Sequence, residues 1–134
     1  MRKVNLIILT LAVLLFGCDK EKIQPESLEG TWELRHVLGV QIENASPDYE
    51  KGNGNIIEFS TNGYQRIVDG KVIAEGTYKL VEESAEIDGT KFTNRIIFDD
   101  DDDWKVFIKQ LGNKLLICNG STASDGSTET YEKI

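Results

Sequence analysis

From Leu28 onward, apolar and polar residues alternate with a period of two, and turn-forming dipeptides interrupt the alternation at short intervals. A period of two places successive side chains on opposite faces of a strand. No window carries an i, i+3, i+4, i+7 apolar stripe long enough for a helix. The pattern predicts eight strands, over 30–39, 54–60, 64–68, 72–81, 92–98, 104–111, 114–119 and 127–133. Asn62-Gly63, Asp69-Gly70 and Gly112-Asn113 each lie between two of these runs and supply the positive φ that tight hairpins need.

The alternation also assigns faces. Trp32, Leu34 and His36 are expected inside, opposite Glu33 and Arg35. Ala74, Gly76, Tyr78 and Leu80 oppose Glu75, Thr77 and Lys79; Asn94, Ile96 and Phe98 oppose Arg95. Trp104, Val106 and Ile108 oppose Lys105 and Lys109. One dry and one wet face, repeated through sequence-adjacent antiparallel strands, predicts an all-β fold: an eight-stranded antiparallel up-and-down barrel with no exposed edge. A two-sheet β-sandwich is the alternative architecture. Glu82, Glu83 and Glu86 fall between predicted strands and read as a solvated loop.

The N-terminus has a different character. Met1-Arg2-Lys3 precedes an apolar run over 4–16 broken only by Asn5 and Thr10, and polarity switches abruptly at Asp19. Thirteen helical residues span about 20 Å against roughly 30 Å of bilayer hydrocarbon, too short for a stable span. A basic start and a short apolar stretch are the features of an export signal. The segment Leu15-Phe16-Gly17-Cys18 that ends it resembles the cleavage site of bacterial lipoprotein signals. That resemblance implies that residues 1–17 are removed and that Cys18 takes a diacylglyceryl thioether and an N-acyl chain. Each buried methylene contributes about 0.8 kcal/mol, so several chains hold a protein firmly on a membrane. The implied address is the cell envelope, on the periplasmic or outer face of the outer membrane. Residues 18–27 then read as the lipidated cysteine and a polar tether, and 28–134 as the barrel domain. With Cys18 consumed by lipid, Cys118 lacks an intramolecular partner, and its place in Leu115-Leu116-Ile117-Cys118 predicts a buried, inert thiol.

A second resemblance covers roughly residues 28–134. Gly30-Thr31-Trp32 is similar to the Gly-X-Trp signature that opens lipocalins. Phe59, Asn62-Gly63-Tyr64, Gly76-Thr77-Tyr78 and the closing Tyr131-Glu132-Lys133-Ile134 are spaced as in small lipocalin-like domains of bacterial lipoproteins. The resemblance implies a barrel whose floor is formed by Gly30 and Trp32. No arginine follows Arg95, so Lys133 stands where a lipocalin packs a late arginine over that tryptophan.

Charge narrows the partners. The chain carries 15 basic and 23 acidic residues, a formal charge of −8. Such a surface repels phosphate backbones and argues against nucleic-acid binding. The run from Asp99 to Asp103 places three aspartates at the first ligand positions of an EF-hand loop. Trp104 stands where that loop needs Gly, however, and Gln110 where it needs Glu, so a solvated turn is expected and no metal site. His36 is the single histidine, and no nucleophile elbow, phosphate-cradling glycine loop or metal-ligand cluster accompanies it. No catalytic residue and no cofactor is therefore assigned. Binding is left as the expected function, and an eight-stranded barrel either fills with its own side chains or holds one small ligand.

Two readings stay open. In one, the barrel carries a small apolar ligand against Tyr64, Tyr78, Phe98 and Trp104. In the other, a filled barrel is a scaffold that contacts an envelope protein or glycan, or inhibits a protease. The segments 42–53, 69–71, 99–103 and 120–126 all belong to the end opposite Trp32, and the first is long enough for either a lid or a passive cover. With aspartates at that mouth and no inward lysine or arginine assigned, the ligand is expected to be neutral or cationic.

Overall fold

A computed structural model describes residues 23–39 and 41–134. The export signal, Cys18 and the first part of the tether lie outside the described residues. A short helix, α1 (Pro25–Leu28), precedes eight strands. These are β1 (Gly30–Leu38), β2 (Asn55–Phe59), β3 (Gly63–Val68), β4 (Lys71–Ile87), β5 (Thr90–Phe98), β6 (Val106–Leu111), β7 (Lys114–Cys118) and β8 (Thr128–Lys133). They pair antiparallel in sequence order, and β8 returns to β1, so the sheet closes into a barrel. The up-and-down barrel is thus the fold, and the sandwich is excluded.

Positive φ shapes the β3–β4, β4–β5 and β6–β7 turns, the last through Gly112 (φ 61°), whereas the β2–β3 turn forms without it: contrary to expectation, neither Asn62 nor Gly63 has positive φ. Asp69 and Gly70 (φ 50° and 77°) join β3 to β4. Asp88 and Gly89 (φ 49° and 79°) join β4 to β5, a turn that the sequence pattern did not predict. The loop expected around Glu82–Glu86 is corrected with it: that stretch is strand, and β4 runs 17 residues. A register shift between Glu82 and Ala85 bends it there.

That bend gives the molecule a second layer. β5 pairs with β6 only through Asn94, Arg95 and Ile96, and the hairpin beyond leaves the wall. Its Phe92, Ala85 and Ile87 pack with Phe107, Leu116 and Cys118. In β6 and β7 those three residues alternate with Ile108, Leu115 and Ile117, which belong to the barrel interior, so they point outward. The hairpin therefore folds back along the outside of β6 and β7, and Lys109 Nζ donates to the Lys91 carbonyl at 3.1 Å. Cys118 is free and buried under this flap.

The barrel interior is a single cluster that includes Trp32, Leu34, Ile57, Phe59, Tyr64, Tyr78, Ile96, Ile108, Leu115, Ile117 and Tyr131. Ile23 and Leu28 join it from below, so part of the segment read as tether packs against the barrel floor. A register shift between Leu34 and His36 corrects the assignment of His36. An extra residue in a strand reverses the faces that follow it, so Val37 packs inward. His36 instead meets Asp48 outside, with Nδ1 2.8 Å from Oδ1.

Candidate functional site

The floor is built first. Trp32 has no accessible surface, and its Nε1 donates to the Leu28 carbonyl at 2.8 Å, which fixes α1 beneath the barrel. Lys133 Nζ lies 5.2 Å from the centre of the Trp32 ring and donates to the Ser27 carbonyl at 3.4 Å. Gly30 permits this approach: its φ of 125° disfavours other residues, and a Cβ there would stand 2.9 Å from Lys133 Cε. Gly30, Trp32 and Lys133 thus meet at one end of the barrel.

Above the floor the lumen is filled. Ile57, Ile108, Leu115 and Ile117 share with Trp32 an accessible surface of essentially zero. A side chain bordering a void that admits water would retain some accessible surface, so the lower lumen holds no such void. Three of the four expected ligand contacts are brought together in the wall beside it. Tyr64 stacks edge-on to Phe98 with centroids 4.7 Å apart, and Tyr78 meets Phe59 at 5.1 Å. Both hydroxyls are engaged, Tyr64 Oη donating to Asp99 Oδ2 at 2.7 Å and Tyr78 Oη to the Ser60 carbonyl at 2.9 Å. Burial, and then Asp99, raises the Tyr64 pKa above its ordinary value. The fourth contact is corrected: Trp104 precedes β6, is 63% exposed and does not belong to the buried cluster of the lumen.

The upper lumen is crossed by a polar brace that the sequence reading missed. Arg66 alternates with Tyr64 on β3 and pairs with buried Ile57, so it points inward. Its Nη1 lies 3.2 Å from Tyr131 Oη and 3.4 Å from Glu129 Oε2, while Tyr131 Oη donates to Glu129 at 2.7 Å. Arg66 also stands 5.9 Å from the Phe98 ring centre. Burial opposes the charge of Arg66, but Tyr131 and Glu129 more than offset it, and its pKa is raised. Burial likewise pushes the Tyr131 hydroxyl up, with Glu129 adding to the effect. The expectation of a lumen without inward cations is therefore wrong, although this cation is already matched by Glu129.

The long connection over 39–54 straps β1 rather than hanging over the mouth. Val37 N–H donates to the Pro47 carbonyl and Tyr49 N–H to that of Arg35, both at 2.8 Å. They occupy the edge of β1 above Glu33, where pairing with β2 stops. Gly52 N–H donates to the buried Glu33 carboxylate at 2.9 Å. That bond, with the Arg35 side chain, holds the Glu33 pKa below its ordinary value.

The aspartate run is divided between structure and solvent. Asp99 binds Tyr64 and the Thr77 N–H, and its carboxylate occupies the space a side chain at Gly76 would need. Asp100 pairs with Lys79, and Asp102 with Arg95, which is buried and also bonded to Glu83. Asp101 accepts the Asp103 N–H at 3.1 Å, and among the described residues neither Asp101 nor Asp103 has a cationic partner. No three His, Cys, Asp or Glu side chains among the described residues are grouped to hold a metal ion. The recesses lined by described residues include one of about 310 Å³ beside α1, bordered by Ile23, Ser27, Asn94 and Gln110. Another, of about 520 Å³, runs along β2–β4 past Glu58, Gln65 and Glu75. No protein-family model, curated protein or solved structure matches this chain.

Proposed function

We propose that the protein is a non-enzymatic, lipid-anchored component of the cell envelope whose barrel is a filled scaffold presenting its open rim to another envelope protein. The observation that carries this reading is the filled lower lumen, where Trp32, Ile57, Ile108, Leu115 and Ile117 leave no accessible surface. A carrier of apolar ligands needs an enclosed volume of several hundred Å³ that buries most of the ligand. Here the aromatic residues that would line such a volume pack on one another. Anchoring rests on the similarity of Leu15-Phe16-Gly17-Cys18 to lipoprotein signals. It agrees with the position of the floor, because Ile23, five residues after Cys18, is already buried there. Five extended residues reach at most about 18 Å, so the floor would face the membrane and the rim would face away from it.

A second reading has one observation in its favour. Val37, Leu80, Phe98 and Val106 are only half-buried, and the Arg66 and Glu129 side chains keep 29% and 24% exposure. A shallow cup of that kind could seat part of a small ligand at the mouth. Native mass spectrometry of protein extracted from membranes distinguishes the two. The scaffold reading expects a diacylglyceryl and acyl mass on Cys18 and no stoichiometric non-covalent small molecule. A co-purifying apolar compound at one per chain would favour the carrier, and an unmodified Cys18 would remove the anchor.

A further inference from the structure

We infer that the open rim docks a basic protein segment carrying large apolar side chains, which deepens the scaffold reading above and rests on it. Exposed large hydrophobics gather at this end. Leu38 closes β1, Ile42 lies in the strap, Val72 and Ile73 follow the β3–β4 turn, and Trp104 lies between β5 and β6. Among the described residues, only Leu111 and Ile134 are similarly exposed at the opposite end. Scattered exposed apolar residues are ordinary on a protein surface, but a bias to one end, including a tryptophan, is the composition of a binding surface.

Charge selects the occupant. The four rim connections, 39–54, 69–71, 99–105 and 119–127, contain ten carboxylates and three lysines, a net −7. Of the three turns that the topology assigns to the floor end, 60–62 and 112–113 contain no charged residue, and 88–89 contains Asp88, which the folded-back hairpin carries to the rim connection at Thr122. The rim therefore holds most of the chain's net charge of −8. Lys105, one of the three lysines, is occupied by Glu83 at 2.7 Å. Asp101 and Asp103 precede Trp104 without cationic partners among the described residues, and Lys105 after it is already paired with Glu83, so the tryptophan stands beside unpaired negative charge. An acidic or neutral apolar segment would either be repelled or leave these carboxylates desolvated without compensation. Lysine or arginine side chains pair with them while an apolar neighbour covers Trp104, and the indole face adds a cation–π contact.

The test uses the full-length protein in phosphatidylcholine nanodiscs and reads tryptophan emission. Trp32 is fully buried, so rim binding reports through Trp104. The probes are acetylated, amidated peptides of alternating Lys and Leu, of alternating Glu and Leu, and of Lys alone, with empty nanodiscs as the blank. A saturable blue shift is expected with Lys-Leu alone, weakening at least tenfold between 50 and 500 mM salt. The Asp101→Asn/Asp103→Asn variant should weaken it by a similar factor, with unchanged thermal stability. Equal binding of Lys-Leu and Glu-Leu, no binding of either, or binding untouched by the double variant would overturn the inference. So would a shift produced by millimolar Ca²⁺ alone that blocks the peptide, which would make the rim a cation site. None of these results bears on whether the lumen is filled, so the scaffold reading stands or falls separately.

Discussion

The carboxylate of Asp88 accepts the backbone N–H of Thr122 at 3.0 Å, joining the tip of the β4–β5 hairpin to the connection before β8. Ser121 Oγ donates to the same carboxylate at 3.0 Å. The two residues belong to turns at opposite ends of an up-and-down barrel, and they meet only because the hairpin folds back over the outer wall. These bonds, the Thr122 N–H foremost, keep the Asp88 pKa below its ordinary value.

Asp88→Ala should loosen the flap without unfolding the barrel. Amide exchange should accelerate between residues 84 and 92 while β1 and β8 keep their protection. Cys118, buried beneath the flap, should react faster with a thiol reagent. Unchanged Cys118 labelling would mean that the apolar packing around Phe92 and the Lys109–Lys91 bond hold the hairpin down without Asp88.

Trp32→Ala should cost about 3–5 kcal/mol, as expected for a large, fully buried ring. Lys133→Ala should cost less, about 0.5–2 kcal/mol, because the ammonium contributes a cation–π contact and one hydrogen bond. Urea denaturation of both variants measures the ranking, and a larger loss for Lys133 would show that the floor is misdescribed.

The brace of Arg66, Glu129 and Tyr131 should behave as one unit. Glu129→Leu alone leaves an inward guanidinium poorly compensated and should destabilise by about 3 kcal/mol or more, whereas Arg66→Met/Glu129→Leu together should recover most of that loss. A double-mutant cycle gives the coupling directly, and additive losses would mean that the pair does not interact across the lumen.

Stability should depend on pH through Glu33. Its native pKa is lowered by the Gly52 N–H and Arg35, so the unfolded chain binds its proton more readily. The contribution is therefore complete above the unfolded value of about 4.3 and is lost as pH falls toward the lowered native value. Glu33→Gln should flatten this part of the curve of unfolding free energy against pH. An unchanged acid limb would remove Glu33 as a contributor.

Much of the barrel was legible because its local signals agree. Three glycine-containing turns and period-two alternation located all eight strands, and Trp32 marked the floor. Two bulges account for the largest errors. The extra residue near Arg35 turned His36 out and Val37 in, and the shift after Glu82 disguised a long strand as a glutamate-rich loop. The covered outer wall did leave a trace: Val106-Phe107-Ile108 and Leu115-Leu116-Ile117-Cys118 are continuous rather than alternating. Continuous apolar runs mark strands buried on both faces. Arg66 was missed although it shares Tyr64's parity, since its partners Glu129 and Tyr131 lie on a strand that only closure of the barrel brings near.

The central claim is that the lumen is filled and the rim is the binding surface. Fluorescence titration of the fragment 19–134, which retains Ile23 and α1, with the neutral apolar dye N-phenyl-1-naphthylamine tests it most directly. The account predicts no saturable one-to-one binding at micromolar dye. Tight stoichiometric binding, abolished when the upper lumen is filled by Val106→Trp, would contradict it.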